Sequence, residues 1–129
     1  MRDFAHPRLW LAVWIAGLAG TVAVCLLPAP YMAQTPSGTD KVVHAAGYAL
    51  LAVWAVWLFA TRRAQWRAVA GLVALGVAIE ILQGSLVPET RSMDARDVVA
   101  NTLGALAGAC VRFTPLAGLL QQVDRLLAR

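Results

Sequence analysis

Four long apolar runs, Leu9–Leu27, Val42–Ala60, Ala68–Val87 and Val98–Thr114, occupy most of this chain and decide what it can become. Each approaches the ~20 predominantly apolar residues that carry an α-helix across a bilayer. Hydrophobic residues make up 60% of the 129 and charged residues only 14%. A soluble fold of this length has too little interior to hide so much apolar surface, whereas a bilayer accepts it. Inside lipid, each backbone polar group must be satisfied within its own segment, so runs of this length are expected as helices. The expected fold class is all-α, an integral membrane bundle of four transmembrane helices in a single domain over residues 1–129.

The stretches between the runs punctuate them. Arg2 and Arg8 precede the first run. Its apolar core exceeds the ~7–15 residues of a secretion signal, and no A-x-A cleavage site follows. V-A-V before Cys25 is also a poor lipoprotein cleavage box, so the first run is expected to remain as a helix. Pro28, Pro30, Pro36 and Gly38 make a loop. Asp40 and Lys41 open the second span, and Arg62, Arg63 and Arg67 bracket a short turn before the third. Pro88 ends the third span, with a charged loop from Glu89 to Arg96. Thr114 followed by Pro115 has the form of an N-cap with proline at the first helical position. In the piece that follows, about 115–129, Leu116, Leu119, Leu120, Val123, Leu126 and Leu127 share one face. Gln121, Gln122, Asp124, Arg125 and Arg129 lie opposite, the pattern of an amphipathic helix resting in the membrane interface.

Charge distribution sets the expected orientation. The net charge of +4 does not mark a nucleic-acid binder, because the arginines form no basic stripe and sit in clusters between apolar spans. With both termini cytoplasmic, eight of the 11 cationic residues fall on the inner side and only Lys41, Arg91 and Arg96 on the outer. That asymmetry is the positive-inside pattern. Trp10, Trp54, Trp57 and Trp66 would then all sit toward the inner interface. Cys25 and Cys110 belong at opposite ends of their helices, separated by much of the ~30 Å hydrocarbon thickness. A disulfide, which needs Cα atoms within ~7 Å, is not expected between them.

The topology gives the polar residues a common address. In Ser92–Gly108, Asp94, Asp97, Asn101, Gly104 and Gly108 recur at i, i+3, i+7, i+10 and i+14, along one helix face. The glycines would weaken a helix in water but let a neighbouring backbone approach in lipid. Lys41, His44 and Tyr48 recur at i, i+3 and i+7 in the outer half of the second helix, beside Asp40, and Glu80 and Gln83 lie in the outer half of the third. Three helices thus bring polar groups to one leaflet. At 1.5 Å per residue, Tyr48 and Glu80 lie ~10 Å below the outer boundary. His44, Gln83 and Asp97 form a shallower layer, with Lys41, Arg91 and Arg96 at the rim. A charge at a helix centre costs ~2.5–3.5 kcal/mol on insertion scales and less nearer the interface, so Glu80 needs a proton, a hydrogen bond, a cation or water. Asn101 and Gln83 have a second reading as hydrogen-bonded helix fasteners, and Lys41 or Arg91 as an ion-pair partner of Asp94 or Asp97.

These residues also carry a family pattern. D-K-x-x-H-x-x-x-Y at Asp40–Tyr48, E-x-x-Q at Glu80–Gln83, and R-x-x-D-x-x-D-x-x-x-N-x-x-G from Arg91 to Gly104 together resemble the VanZ-like family. Each element alone is weak, while the ordered set is specific and spans roughly Asp40–Gly108. The resemblance implies a small protein of the bacterial cytoplasmic membrane, whose founding relative is linked to resistance to teicoplanin, a lipoglycopeptide. Asp40, Lys41, His44, Tyr48, Glu80, Gln83, Arg91, Asp94, Asp97 and Asn101 match the family's polar pattern and form the expected ligand-binding set.

Three functional readings follow. In the first, an outward-facing cavity binds or alters a lipid-linked or amphiphilic envelope molecule, with membrane lipids and a cell-wall precursor or lipoglycopeptide as partners. The rim cations would suit a phosphate or carboxylate head. In the second, the cavity is a hydrolase or transferase site for a lipid-linked precursor. His44 is then the base or a metal ligand, Glu80 its acid/base partner, and Asp94 or Asp97 a metal or orienting carboxylate. Ser85 and Ser92 stand outside any G-x-S-x-G setting. One histidine with scattered carboxylates fits no named metal site, so neither metal nor cofactor is expected. In the third, the protein is a scaffold or small transport subunit, and the polar groups only set helix register.

Overall fold

The computed structural model describes residues 1–26, 39–86 and 94–129. It is helical, with no strand among the described residues. The elements are α1 (Pro7–Leu26), α2 (Thr39–Leu58), α3 (Arg62–Leu86) and α4 (Ala95–Ala109). Two 3-10 turns (Cys110–Phe113 and Pro115–Gly118) lead to α5 (Leu119–Leu127). Among the described residues α1, α2 and α3 are each long and apolar enough to cross a membrane. Ala95–Phe113 with Pro115–Leu127 meets the same test as a pair bent by 85°. The bend lies at Thr114, whose backbone is extended and whose hydroxyl accepts from the Leu116 amide at 3.3 Å, with Pro115 next in line. The threonine–proline cap anticipated from sequence is therefore present. The α4 crossing and its 3-10 extension end at Phe113, and the chain turns across the end of the bundle.

Helix α3 begins six residues before the expected start, because Thr61 caps it. The Thr61 hydroxyl accepts from the Ala64 amide at 3.2 Å and its carbonyl from Gln65 at 3.0 Å. Arg62, Arg63 and Arg67 therefore project from the first turns of α3 and are exposed. The loops at 28–38 and 88–93, including Arg91, lie outside the described residues.

Helices α2 and α4 run parallel and make the most extensive contact in the bundle. The reason is Gly104 and Gly108. A Cβ added to Gly104 would overlap the Ala45 carbonyl and come 2.8 Å from the Ala45 Cα. At Gly108 it would meet Ala49 in the same way. Rigid backbone occupies the space a side chain would need, which is the close approach expected of small residues in lipid. Around this contact pack Tyr48, Leu51, Ala52, Ala105 and Ala109 with Val69 and Leu72 of α3. Helix α1 leans on the rest through indole hydrogen bonds: Trp14 Nε1 donates to the Leu51 carbonyl at 3.1 Å, and Trp54 Nε1 to the Trp10 carbonyl at 3.2 Å.

The end of the bundle that carries both termini is aromatic. Trp10 lies 6.1 Å from Trp54, Trp54 lies 5.9 Å from Trp57, and Trp14 meets Phe59 edge-on at 5.5 Å. Phe4, Leu58 and Leu120 fill the space beneath them. Helix α5 departs from expectation here. Leu120 and Asp124 turn inward, while Leu116, Leu119, Val123, Leu126 and Leu127 stay exposed. Asp124 is thus not on an outer polar face. A leucine stripe turned away from the bundle, on a helix lying across its end, suits the membrane interface better than one packed inside.

Candidate polar site

At the opposite end, α2 and α4 begin where α3 finishes. Asp40, Lys41, His44 and Tyr48 descend α2, Gly76, Glu80 and Gln83 ascend α3, and Asp94, Asp97 and Asn101 descend α4 from its N-cap. Tyr48, Glu80, Gln83 and Asn101 are buried, and His44, Asp94 and Asp97 are partly buried around them. Polar groups from three helices therefore meet at one end of the bundle.

The outermost layer is an ion-pair cluster. Lys41 Nζ donates to Asp97 at 3.0 Å, to Asp94 at 3.1 Å and to Asp40 at 3.2 Å. This changes the expected role of the rim. Lys41 is engaged by three carboxylates, so it is not a free cation for an anionic head. Asp94 caps α4, its carboxylate accepting from the Arg96 amide at 2.8 Å, while its own amide donates to Glu80 Oε2 at 3.0 Å. The Arg96 amide first, and Lys41 second, hold the Asp94 carboxyl below the usual carboxylate range.

Beneath that layer, His44, Glu80 and Asp97 each offer one ligand atom, and these atoms lie within 4.8 Å of one another. One turn deeper on each helix stand Tyr48, Gly76 and Asn101. A Cβ on Gly76 would come 3.3 Å from both the Tyr48 hydroxyl and the Asn101 side-chain nitrogen, so the glycine makes room for their tips. Four buried atoms here find no hydrogen-bond partner among the described residues: His44 Nδ1, Tyr48 Oη, Glu80 Oε1 and Asn101 Oδ1. Buried polar atoms are usually paired, and an unpaired one costs about 1–3 kcal/mol. The four atoms come from all three of α2, α3 and α4.

Gln83 stands apart from this group. Its Nε2 donates to the Cys25 carbonyl at 2.7 Å, which fastens α3 to α1. Two residues escaped the sequence reading. Gly76 had a detectable signal, being a small residue one turn from Glu80 on the same face. Asp124 had none, because its partners come from the other terminus. Its carboxylate accepts from the Ala5 amide at 2.6 Å, Trp10 Nε1 at 2.8 Å and the His6 amide at 3.1 Å.

The family model for VanZ/LLP1 matches residues 8–116, most of the chain. The chain belongs to the VanZ/LLP1 family. The match takes in α1 to α4 and every residue of the polar site, and stops just after the bend into α5. It makes this VanZ/LLP1 chain a multi-pass membrane protein, in agreement with its apolar helices. No curated protein and no solved structure matches it.

Proposed function

We propose that this VanZ/LLP1 protein binds or alters a lipid-linked or amphiphilic envelope molecule through a site facing the cell exterior, and so limits teicoplanin at the bacterial cytoplasmic membrane. One observation carries the reading: the His44, Tyr48, Glu80 and Asn101 atoms without a hydrogen-bond partner among the described residues, buried where three helices meet. These atoms can accept from, and in the case of Tyr48 donate to, the hydroxyl and amide groups that envelope glycans and peptides display. Asp97 and Lys41 are only partly buried above them. An acyl chain on the same molecule would lie along exposed apolar side chains such as Val43, Val99 and Leu103.

The test is teicoplanin susceptibility of cells that carry the wild type, Glu80→Ala or no copy of the protein, at matched protein level. Wild type should raise resistance and Glu80→Ala should abolish the increase. Equal susceptibility in all three strains overturns the proposal. Turnover of a lipid-linked precursor by purified protein, lost in His44→Ala, would move the reading to a hydrolase or transferase. The convergence of His44, Glu80 and Asp97 gives that alternative its one specific support.

A further inference from the structure

Among the described residues, the acids of the polar site outnumber its cations. The described residues at this end include four carboxylates (Asp40, Glu80, Asp94 and Asp97) and two cations, Lys41 and Arg96. Lys41 spends its three donors on Asp40, Asp94 and Asp97 and gives none to Glu80. Glu80 is 1% exposed and, among the described residues, receives one hydrogen bond, from the Asp94 amide to Oε2. Among the described residues its Oε1 has no partner, nor has Nδ1 of the neighbouring His44. A carboxylate and an imidazole, each with a buried atom that has no partner among the described residues, each bring a ligand atom within 4.8 Å of one on Asp97, and a cation with room for several ligands is their common complement.

We propose that His44, Glu80 and Asp97 hold one divalent first-row transition-metal ion. The donor set of one imidazole and two carboxylates suits zinc, manganese or ferrous iron, since imidazole favours such metals over magnesium and calcium. Ligand bonds of about 2.0–2.2 Å hold neighbouring ligand atoms roughly 3–3.5 Å apart in a tetrahedral arrangement. The separation of up to 4.8 Å therefore closes by small rotations of His44 and Asp97, which are only partly buried. Each carboxylate already has an outer partner that orients it: the Asp94 amide on Glu80 Oε2, and the Lys41 ammonium on Asp97 Oδ1. Supported carboxylates of this kind recur around metals because the outer hydrogen bond fixes the ligand's angle and basicity. Three protein ligands leave a coordination position for an incoming molecule. The inference deepens the proposed function and rests on its reading of this site, because a dication supplies the positive charge that engagement of Lys41 removes. A phosphate or carboxylate head could then enter.

The experiment uses the full chain in mild detergent, stripped with a chelator and then loaded with zinc, manganese or cobalt. Metal content by mass spectrometry and the visible spectrum of bound cobalt are the readouts. One ion per chain is expected. His44→Ala should weaken binding by more than the about 10–100-fold that loss of an outer partner costs. Cys110→Ser, which removes the exposed thiol at the other end of α4, should keep it. Substoichiometric metal in the folded wild type overturns the inference, and so does unchanged binding in both His44→Ala and Asp97→Asn. Wild-type stoichiometry decides the matter even where a variant does not fold. An absent metal leaves the teicoplanin result standing, while a bound metal with unchanged teicoplanin susceptibility removes the proposed function and keeps the ion.

Discussion

What an added methyl group would touch separates the glycines of this protein. At Gly104 it would run into the Ala45 backbone, which cannot move without parting α2 from α4. At Gly76 it would meet only the Tyr48 and Asn101 side-chain ends at 3.3 Å, and these can give by a few tenths of an ångström. Gly104→Ala should therefore cost about 1–3 kcal/mol of stability, the usual cost of overpacking a tight core. Gly76→Ala should change it by less than about 1 kcal/mol, because the gain in helix propensity offsets the crowding. Unfolding by a graded denaturing detergent checks both, and equal losses would mean that the α2–α4 contact is looser than described. Gly104 could be identified in advance because its spacing from Asp97, Asn101 and Gly108 marks one helix face. Periodicity along one helix places a residue on a face, but it does not say which backbone lies opposite. Lys41 makes the same point: its place on the rim was legible, while its engagement by three carboxylates depends on how α2 and α4 sit together.

Between elements, the least legible feature is the clasp of the N-terminal segment by α5. Asp124 joins residues more than a hundred positions apart, and no local pattern announces it. The amphipathic pattern assigns it to a solvated face, but tertiary packing buries it at 2% exposure. Burial pushes its carboxyl up, yet Trp10, the Ala5 and His6 amides and the His6 ring together outweigh that, and its pKa ends below the ordinary 3.8. A carboxylate lowered on folding contributes stability that is present above its unfolded pKa and disappears as the pH falls through the folded one. The Asp124 contribution should thus be intact at neutral pH and fade below about pH 4. Asp94, lowered in the same direction by Arg96 and Lys41, fades over the same interval in any variant that retains it. The comparison that isolates Asp124 is the acid-induced loss of thermal stability in wild type against Asp124→Asn. The variant should be less stable at pH 7 and lose less on acidification. Parallel losses in the two proteins would show that the clasp carries no charge-dependent stability.

For the molecule as a whole, the two ends differ in chemistry, and that difference bears on how it sits in the membrane. One end gathers Trp10, Trp54 and Trp57 with α5, whose exposed leucines stand at the bundle's margin, and with the arginines that begin α3. The other gathers acids around Lys41. Helices of this length span a ~30 Å core, so the two ends lie at different water interfaces. Cationic residues are retained on the cytoplasmic side, which favours placing the arginine- and tryptophan-rich end inward and the acidic site outward. That orientation is a condition for the proposed function, since an envelope molecule meets the site only from outside. Single cysteines introduced into a Cys25→Ser, Cys110→Ser background at Ala95 and at Gln122, both exposed, make it testable in intact cells. A thiol reagent that cannot cross the membrane should label Ala95→Cys and spare Gln122→Cys until the cells are opened. The reverse pattern would place the polar site in the cytoplasm, where teicoplanin does not reach it, and the proposed function would fall even with a metal bound.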